Sequence, residues 1–325
     1  MTKLLKTFFL LTSLCLSVCG NCQKKSLVDS KVHLKDTGES IIAMVDDKPV
    51  FEYNYKTKKP PKGKPDYYQR SGFIHPVFSP SGAIITEGFP QKHTHHHGIF
   101  TAWVDTEFKG KEIDFWNQQK KTGTVIFKKI LILKEEDSIA HIKTEHNHVA
   151  LIDQDTIPVL QEIWDITVYN SVDPFIWDIK VEQKNISTSD LNLKKYHYGG
   201  IAFRGRDEWD QVDLDTNKNE SQKHFDIVTN QQKSREKANH TKPDWVTLFG
   251  DVNGNTVSLS VIPFSGDAAK PEFVRIHPSM PYFCFTPVLK KGIIIKPGDV
   301  LRSRYRILTT DGIPESHSII DVIKR

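Results

Sequence analysis

Apolar positions along this chain recur with a period of two far more often than with a helical period. Val125–Leu133, Ile139–Val149, Ile157–Tyr169, Phe175–Ile186, Thr256–Ile262 and Val300–Leu308 alternate or are β-branched, as strands do. Ser40–Tyr55 reads the same way, then breaks into the Lys/Pro-rich run 56–65, a solvated connection. Separators such as Tyr169-Asn-Ser-Val-Asp-Pro174 and Gly250-Asp-Val-Asn-Gly254 are made of turn-forming residues. Helix-compatible composition is concentrated at 230–239, and it lacks an apolar face. No segment repeats at a blade-length period, which argues against a propeller. The pattern predicts an all-β chain folded as a large antiparallel β-supersandwich. Residues 207–245, poor in apolar side chains, read as a long excursion lying over a site.

Length and composition set the boundaries. With 325 residues, 38% hydrophobic and 10% aromatic, the chain can build a sizeable core. One domain is expected over 40–325, after an N-terminal linker at 23–39. Residues 1–22 read as an export signal, with Lys3 and Lys6 in the basic part and an apolar stretch reaching Val18. Leu16-Ser17-Val18-Cys19 resembles a lipobox, which would attach a lipid to Cys19; the alternative is ordinary cleavage before Gln23. Both routes lead to the periplasm or cell envelope. The formal charge falls from +4 to +2 when Lys3 and Lys6 leave, so nucleic acid is not expected as a partner. Three of the four cysteines lie in the leader, beside Cys284, and no disulfide framework is possible.

The chemistry-bearing residues are concentrated in Phe89-Pro-Gln-Lys-His93-Thr-His95-His96-His97-Gly98. Imidazoles bind metals, move protons near neutral pH and polarise oxygens. In an extended segment His93, His95 and His97 share a face and His96 opposes them. Glu162 shares a strand face with Trp164, Ile166 and Val168. Such a carboxylate lies either at a sheet rim or in a cleft that raises its pKa and suits it to proton transfer. His146 and His148 share a face with Ile142 and Thr144, as two polar residues near a strand end or as a metal-ligating pair. His197-Tyr198-Gly199-Gly200 and Arg204 suit a ligand-facing loop, where paired glycines permit close approach or unusual φ. Asp114-Phe-Trp116-Asn117 combines a stacking ring with hydroxyl-binding groups.

Arg70-Ser-Gly-Phe-Ile-His75-Pro76, Ser79-Pro-Ser-Gly82, Gly88-Phe-Pro90, His95-His-His-Gly98 and Asp114-Phe-Trp116 occur in order. Tyr198-Gly-Gly200, Phe203-Arg-Gly205, Pro297-Gly-Asp299, Arg304-Tyr-Arg306 and Asp311-Gly312 continue the series. Together they resemble the bacterial family labelled "methane oxygenase PmoA" over nearly the whole mature chain. A membrane methane oxygenase subunit needs several apolar spans of about 20 residues, and this sequence has none after its leader. More distantly, the chain is similar to galactose mutarotase-like supersandwich proteins, through Arg70, His95, His197 and the closing motifs. That resemblance implies a glutamate near the penultimate strand taking the anomeric proton and a histidine serving the ring oxygen. Pro281–Leu289 contains no carboxylate, which leaves Glu162 or Glu272 as substitutes.

These readings lead to an exported protein that processes a sugar or oligosaccharide by histidine-based acid/base chemistry, of epimerase, lyase or hydrolase type. His95, His97, His197 and Glu162 are the candidate catalytic residues, with Arg70, His75, Asp114, Trp116, Tyr198 and Arg204 binding the sugar. No cofactor is expected. One alternative is a non-catalytic glycan-binding envelope protein. Another is an enzyme holding Zn or Cu on His93, His95 and His97. That set spans about 13 Å on a straight strand and requires a bend.

Overall fold

A computed structural model describes residues 30–210, 225–264 and 272–323. The expected leader, including Cys19, lies outside the described residues. In chain order the first strands are β1 (Val32–Asp36), β2 (Ile41–Val45), β3 (Lys48–Asn54), β4 (Phe73–Val77) and β5 (Ile99–Ala102). Two short strands follow, β6 (Thr106–Phe108) and β7 (Lys111–Ile113). A long antiparallel meander comprises β8 (Gly123–Glu135), β9 (Ile139–Ile152), β10 (Asp155–Tyr169) and β11 (Phe175–Asn185). Next come β12 (Leu191–Leu193), β13 (Gly200–Arg204), β14 (Phe225–Thr229), β15 (Val246–Val252) and β16 (Asn255–Pro263). The last are β17 (Val274–Ile276), β18 (Tyr282–Phe285), β19 (Ile293–Ile295) and β20 (Val300–Asp311).

These strands form two eight-stranded sheets, ordered β1-β2-β3-β4-β5-β13-β18-β17 and β14-β15-β16-β20-β11-β10-β9-β8. A four-stranded sheet, β19-β12-β6-β7, lies beside them. The all-β antiparallel architecture expected from the period-two pattern is therefore what the chain adopts. The six strands read from alternation correspond to β8, β9, β10, β11, β16 and β20.

Three local expectations are corrected. Val32–Asp36, inside the expected linker, forms β1 and pairs with β2. Within the expected excursion, Phe225, Ile227 and Thr229 point inward, and β14 is an edge strand of the second sheet; residues 211–224 are outside the described part. The helix-compatible stretch at 230–239 holds one helical turn, α1 (Arg235–Ala238), whereas a C-terminal helix, α2 (Ser316–Ile323), was not expected from the pattern. Its Ile319 and Val322 cover Trp245, Ile262 and Leu308, an apolar patch that a strand's period alone does not reveal.

The first sheet is buried on both faces where β5, β13 and β18 run side by side. Ile99, Ile201, Phe203, Phe283 and Phe285 point inward and form the core against Trp164, Ile166 and Ile179 of the second sheet. Their alternate neighbours Phe100, Ala102, Ala202 and Cys284 point outward, under Trp116, Phe115 and the small sheet's Phe108 and Leu191. A strand covered on both sides loses its polar alternation, as these short runs do.

At the entry to β13, Gly200 has φ +95, and a Cβ there would lie 2.5 Å from the carbonyl oxygen of Phe285. Gly254 also has positive φ, +82, with nothing within 4 Å. Gly200→Ala is expected to lower unfolding free energy by about 3 kcal/mol, through strain and collision together. Gly254→Ala should cost only about 1 kcal/mol, from conformation alone. Urea denaturation of both variants measures the difference; equal losses would refute the close-approach account.

Candidate functional site

The histidine-rich segment bends rather than running extended. The His96 N–H donates to the His93 carbonyl at 2.8 Å, closing a turn. Gly98 releases the chain into β5 with φ +64, where a Cβ would meet the Ile74 carbonyl oxygen at 2.2 Å. No larger residue fits that crossing. The bend gathers His93, His95 and His96, with ring centroids 5.8, 5.4 and 4.6 Å apart. His97 points elsewhere, fully buried among Phe73, Phe89 and Phe100 and hydrogen-bonded to Gln118 at 2.9 Å. The expected common face of His93, His95 and His97 is thus replaced by one of His93, His95 and His96.

This group sits on the outward face of β13 and β18. The His96 ring stacks on Tyr282 at 4.9 Å, and His93 stacks on His96 at 5.4 Å. Trp116 stands edge-on to His96 at 6.1 Å and contacts Tyr198 at 5.2 Å. Arg204 is the cross-strand neighbour of Tyr282. Its Nη2 donates to Asp207 at 2.9 Å and to Asp210 at 2.8 Å. Arg204 Nε and Nη1, His96 Nδ1 and Trp116 Nε1 are buried without a partner in the protein. Each such atom costs about 1–3 kcal/mol if left unpaired, so several in one aromatic cluster mark a polar site rather than ordinary core.

Burial is the main reason these imidazoles are held below their ordinary value. For His95 the neighbouring His93 and Arg204 add to it, giving about 4. His96 lies well below, through burial, His95 and Arg204. His277, near Tyr282, is lowered to about 4 by burial and then by Arg275. At neutral pH the cluster therefore presents uncharged imidazoles, able to accept a proton or a hydrogen bond.

A second polar group lies between the sheets. Glu162 Oε2 accepts from the Thr101 hydroxyl at 2.5 Å, the Gln183 amide at 2.6 Å and His148 Nε2 at 3.0 Å. Its Oε1 accepts from Trp164 Nε1 at 2.8 Å. Burial pushes this carboxyl up, but His148 and the hydrogen bonds outweigh it and hold it at about 2. The expectation of a raised pKa or a rim position is therefore overturned: Glu162 is fully buried, ionised and satisfied. Arg70 donates to the carbonyls of Thr101 and Phe115. Burial lowers its guanidinium to about 10. An adjacent pocket is lined by Thr101, Gln183, Glu272 and Tyr305.

Of the sequence-predicted residues, the structure brings together His95, Trp116, Tyr198 and Arg204. Asp114 supports them from beneath. Its carboxylate accepts from the backbone N–H groups of Trp116 and Asn117 at 2.9 and 2.7 Å and fixes the loop that carries the indole. Trp116 is fully buried, not an open platform. His197 is exposed beside Tyr196 and Tyr198, at the margin. Glu162 and Arg70 do not join the cluster, and His97 backs it. His75 bonds the Thr86 hydroxyl at 3.1 Å. His146 and His148, expected near a strand end, are fully buried, and each has a partner: the Tyr55 carbonyl for His146 and Glu162 for His148.

Sequence reasoning missed His96 as a member, along with Tyr282, His277 and Arg275. The available signal was Arg275-x-His277, two polar residues on one face of a short strand. Among the described residues, no group of three His, Cys, Asp or Glu side chains is arranged to hold a metal ion. Glu272, the other substitute for an epimerase base, is buried between the sheets and accepts from Tyr305 at 2.9 Å.

Fold and site together define an all-β protein, an antiparallel two-sheet sandwich with an imidazole–guanidinium cluster on the outer face of one sheet. Within that class, the chain belongs to DUF6807, a family of unknown function whose model matches residues 40–323. The methane-oxygenase label suggested by the motifs finds no support in this match. No curated protein matches the chain in sequence. Among solved structures it is similar to the heparan sulfate lyase HepC of Pedobacter heparinus (9% identity, TM-score 0.41), covering 89% of this chain and 36% of that one. It is also similar to a galactose mutarotase related enzyme from Lactobacillus acidophilus (8% identity, TM-score 0.36), covering 88% of this chain and 98% of that one. A third is the GH36 alpha-galactosidase AgaB of Geobacillus stearothermophilus (11% identity, TM-score 0.36), covering 87% of this chain and 40% of that one.

Glu162 titrates at about 2 when folded, below its ordinary 4.5, so the unfolded chain binds more protons between these values. Stability is therefore expected to fall as pH drops from 4.5 towards 2. His95 and His277, lowered from 6.5 to about 4, add a loss between those pH values with the same sign. Glu162→Gln should cost about 1–3 kcal/mol at neutral pH, because an amide cannot accept from Thr101, Gln183 and His148 as the carboxylate does. It should also flatten the lower acid limb in a denaturation series across pH. An unchanged acid limb in the variant would contradict this assignment.

Proposed function

We propose that the protein is an exported carbohydrate-processing protein that holds a saccharide against the outward face of β13 and β18. The observation that carries this reading is the set of buried, unpartnered polar atoms on His96, Trp116 and Arg204 beneath the half-buried His93 and His95. Three imidazoles, an indole N–H and a guanidinium offer several donors and acceptors within an aromatic wall, which matches the hydroxyls and C–H faces of a sugar. His95, with a pKa of about 4, is the proton acceptor. Tyr198 and Arg204 orient hydroxyls, and Asp114 positions Trp116. His97, His75 and Arg70 support the segment that carries the histidines.

A non-catalytic saccharide-binding protein is the second reading. The placement of Glu162 and Glu272 between the sheets favours it, since neither carboxylate lies at the histidine cluster.

The two readings separate experimentally. A panel of neutral and acidic mono- and oligosaccharides should raise Tm, and proton NMR should follow any bound sugar for conversion. Arg204 is tied to two aspartates, so His95→Ala is the cleaner variant. It is expected to weaken binding at least tenfold and, for an enzyme, to abolish turnover. The acid limb of turnover should fall near pH 4 rather than 6.5. Binding without conversion selects the second reading; unchanged binding in His95→Ala sinks this site.

A further inference from the structure

The edge strand β17 continues the site with charge. Val274 and Ile276 point into the core, so Phe273, Arg275 and His277 share the outward face. The Nζ atoms of Lys242 and Lys290 lie 4.6 and 5.6 Å from the centre of the Phe273 ring. The His240 N–H donates to the Val274 carbonyl at 2.8 Å, which places His240 beside Arg275. His240 Nε2 is buried and unpartnered. Burial and then Arg275 hold both His197 and His240 below the ordinary imidazole value.

Arg275 makes a hydrogen bond to the Ile276 carbonyl at 2.9 Å. Among the described residues, no carboxylate pairs with Arg275, Lys242 or Lys290. Arg204, by contrast, is balanced by Asp207 and Asp210. Among the described residues these three cations thus lack a paired carboxylate, and the half-buried guanidinium is flanked by neutral imidazoles. A guanidinium in this state is suited to two-point recognition of a planar or tetrahedral anion.

We propose that the ligand is a saccharide bearing an anionic substituent, a uronate carboxylate or a sulfate ester, whose charge is received by Arg275 with Lys290 and His240. The inference rests on the saccharide reading above and adds the class of sugar. His197, exposed beside Tyr198, then contacts the ligand at the junction of the neutral and basic parts.

The test compares matched methyl glycosides by calorimetry at low salt: glucuronide with glucoside, galacturonide with galactoside, and 6-sulfated galactoside with galactoside. At least one acidic member is expected to bind about tenfold more tightly than its neutral partner, and that preference should shrink as salt rises. Arg275→Gln should abolish the preference by weakening the acidic partner far more than the neutral one, and the exposed Lys290→Gln should reduce it. Which acidic member wins distinguishes carboxylate from sulfate. Equal binding of acidic and neutral partners, or a preference that survives Arg275→Gln, overturns this inference alone. If no member of the panel binds, the saccharide reading falls and this one with it.

Discussion

An ionised carboxylate in the middle of a protein is tolerable only while its donors stay in place. Glu162 of β10 meets that condition through Thr101 of β5, His148 of β9 and Gln183 of β11, so a single side chain joins the two sheets. Apolar packing of Trp164, Phe283 and Ile179 supplies area without direction, and such faces can slide. Hydrogen bonds to a charge cannot slide. A slip of β5 by one residue would take Thr101 away from the carboxylate and turn Phe100 inward.

That constraint reaches the candidate site through strand geometry. With Thr101 committed to the interior, Phe100 and Ala102 must face outward, and the pairings of Ala202 with Phe100 and of Arg204 with Tyr282 follow from the register. The outward face then receives two loops. The turn at His93–His96, released through Gly98, lays three imidazoles over Tyr282. The Asp114-capped loop brings Trp116 in from the side. Neither loop could hold its rings in place without the rigid strands beneath.

Much of the fold was legible because a half-buried strand leaves a period of two that survives any topology. β9 and β10 were read nearly to their ends, and Glu162, Trp164, Ile166 and Val168 do share one buried face. β1 and β14 were not legible. Both are five-residue edge strands, and their few alternating apolar positions, Val32 and Leu34 or Phe225 and Ile227, do not stand out from the polar stretches around them. α2 was missed because its apolar residues serve one small patch. At the site, His95, Trp116, Tyr198 and Arg204 were found by residue type, whereas His96 was assigned to the wrong side. An alternating face was assumed where one hydrogen bond closes a turn. Glu162 was rightly singled out, but its chemistry was misread, because local sequence does not disclose His148 and Gln183 converging from other strands.

The sequence by itself therefore determined that this is an antiparallel β protein, which segments form its long strands, and that imidazole, indole and guanidinium chemistry is concentrated in a few segments. These follow from periodicity and residue type, which are local. Only the tertiary structure decided which histidines stand together, that the carboxylate serves the interior rather than the site, and that Arg275 shares an outward face with Phe273 and His277. These depend on a turn closed at His96, on register across sheets, and on partners more than a hundred residues away. Distances in space between segments far apart in the chain leave no trace in a local pattern.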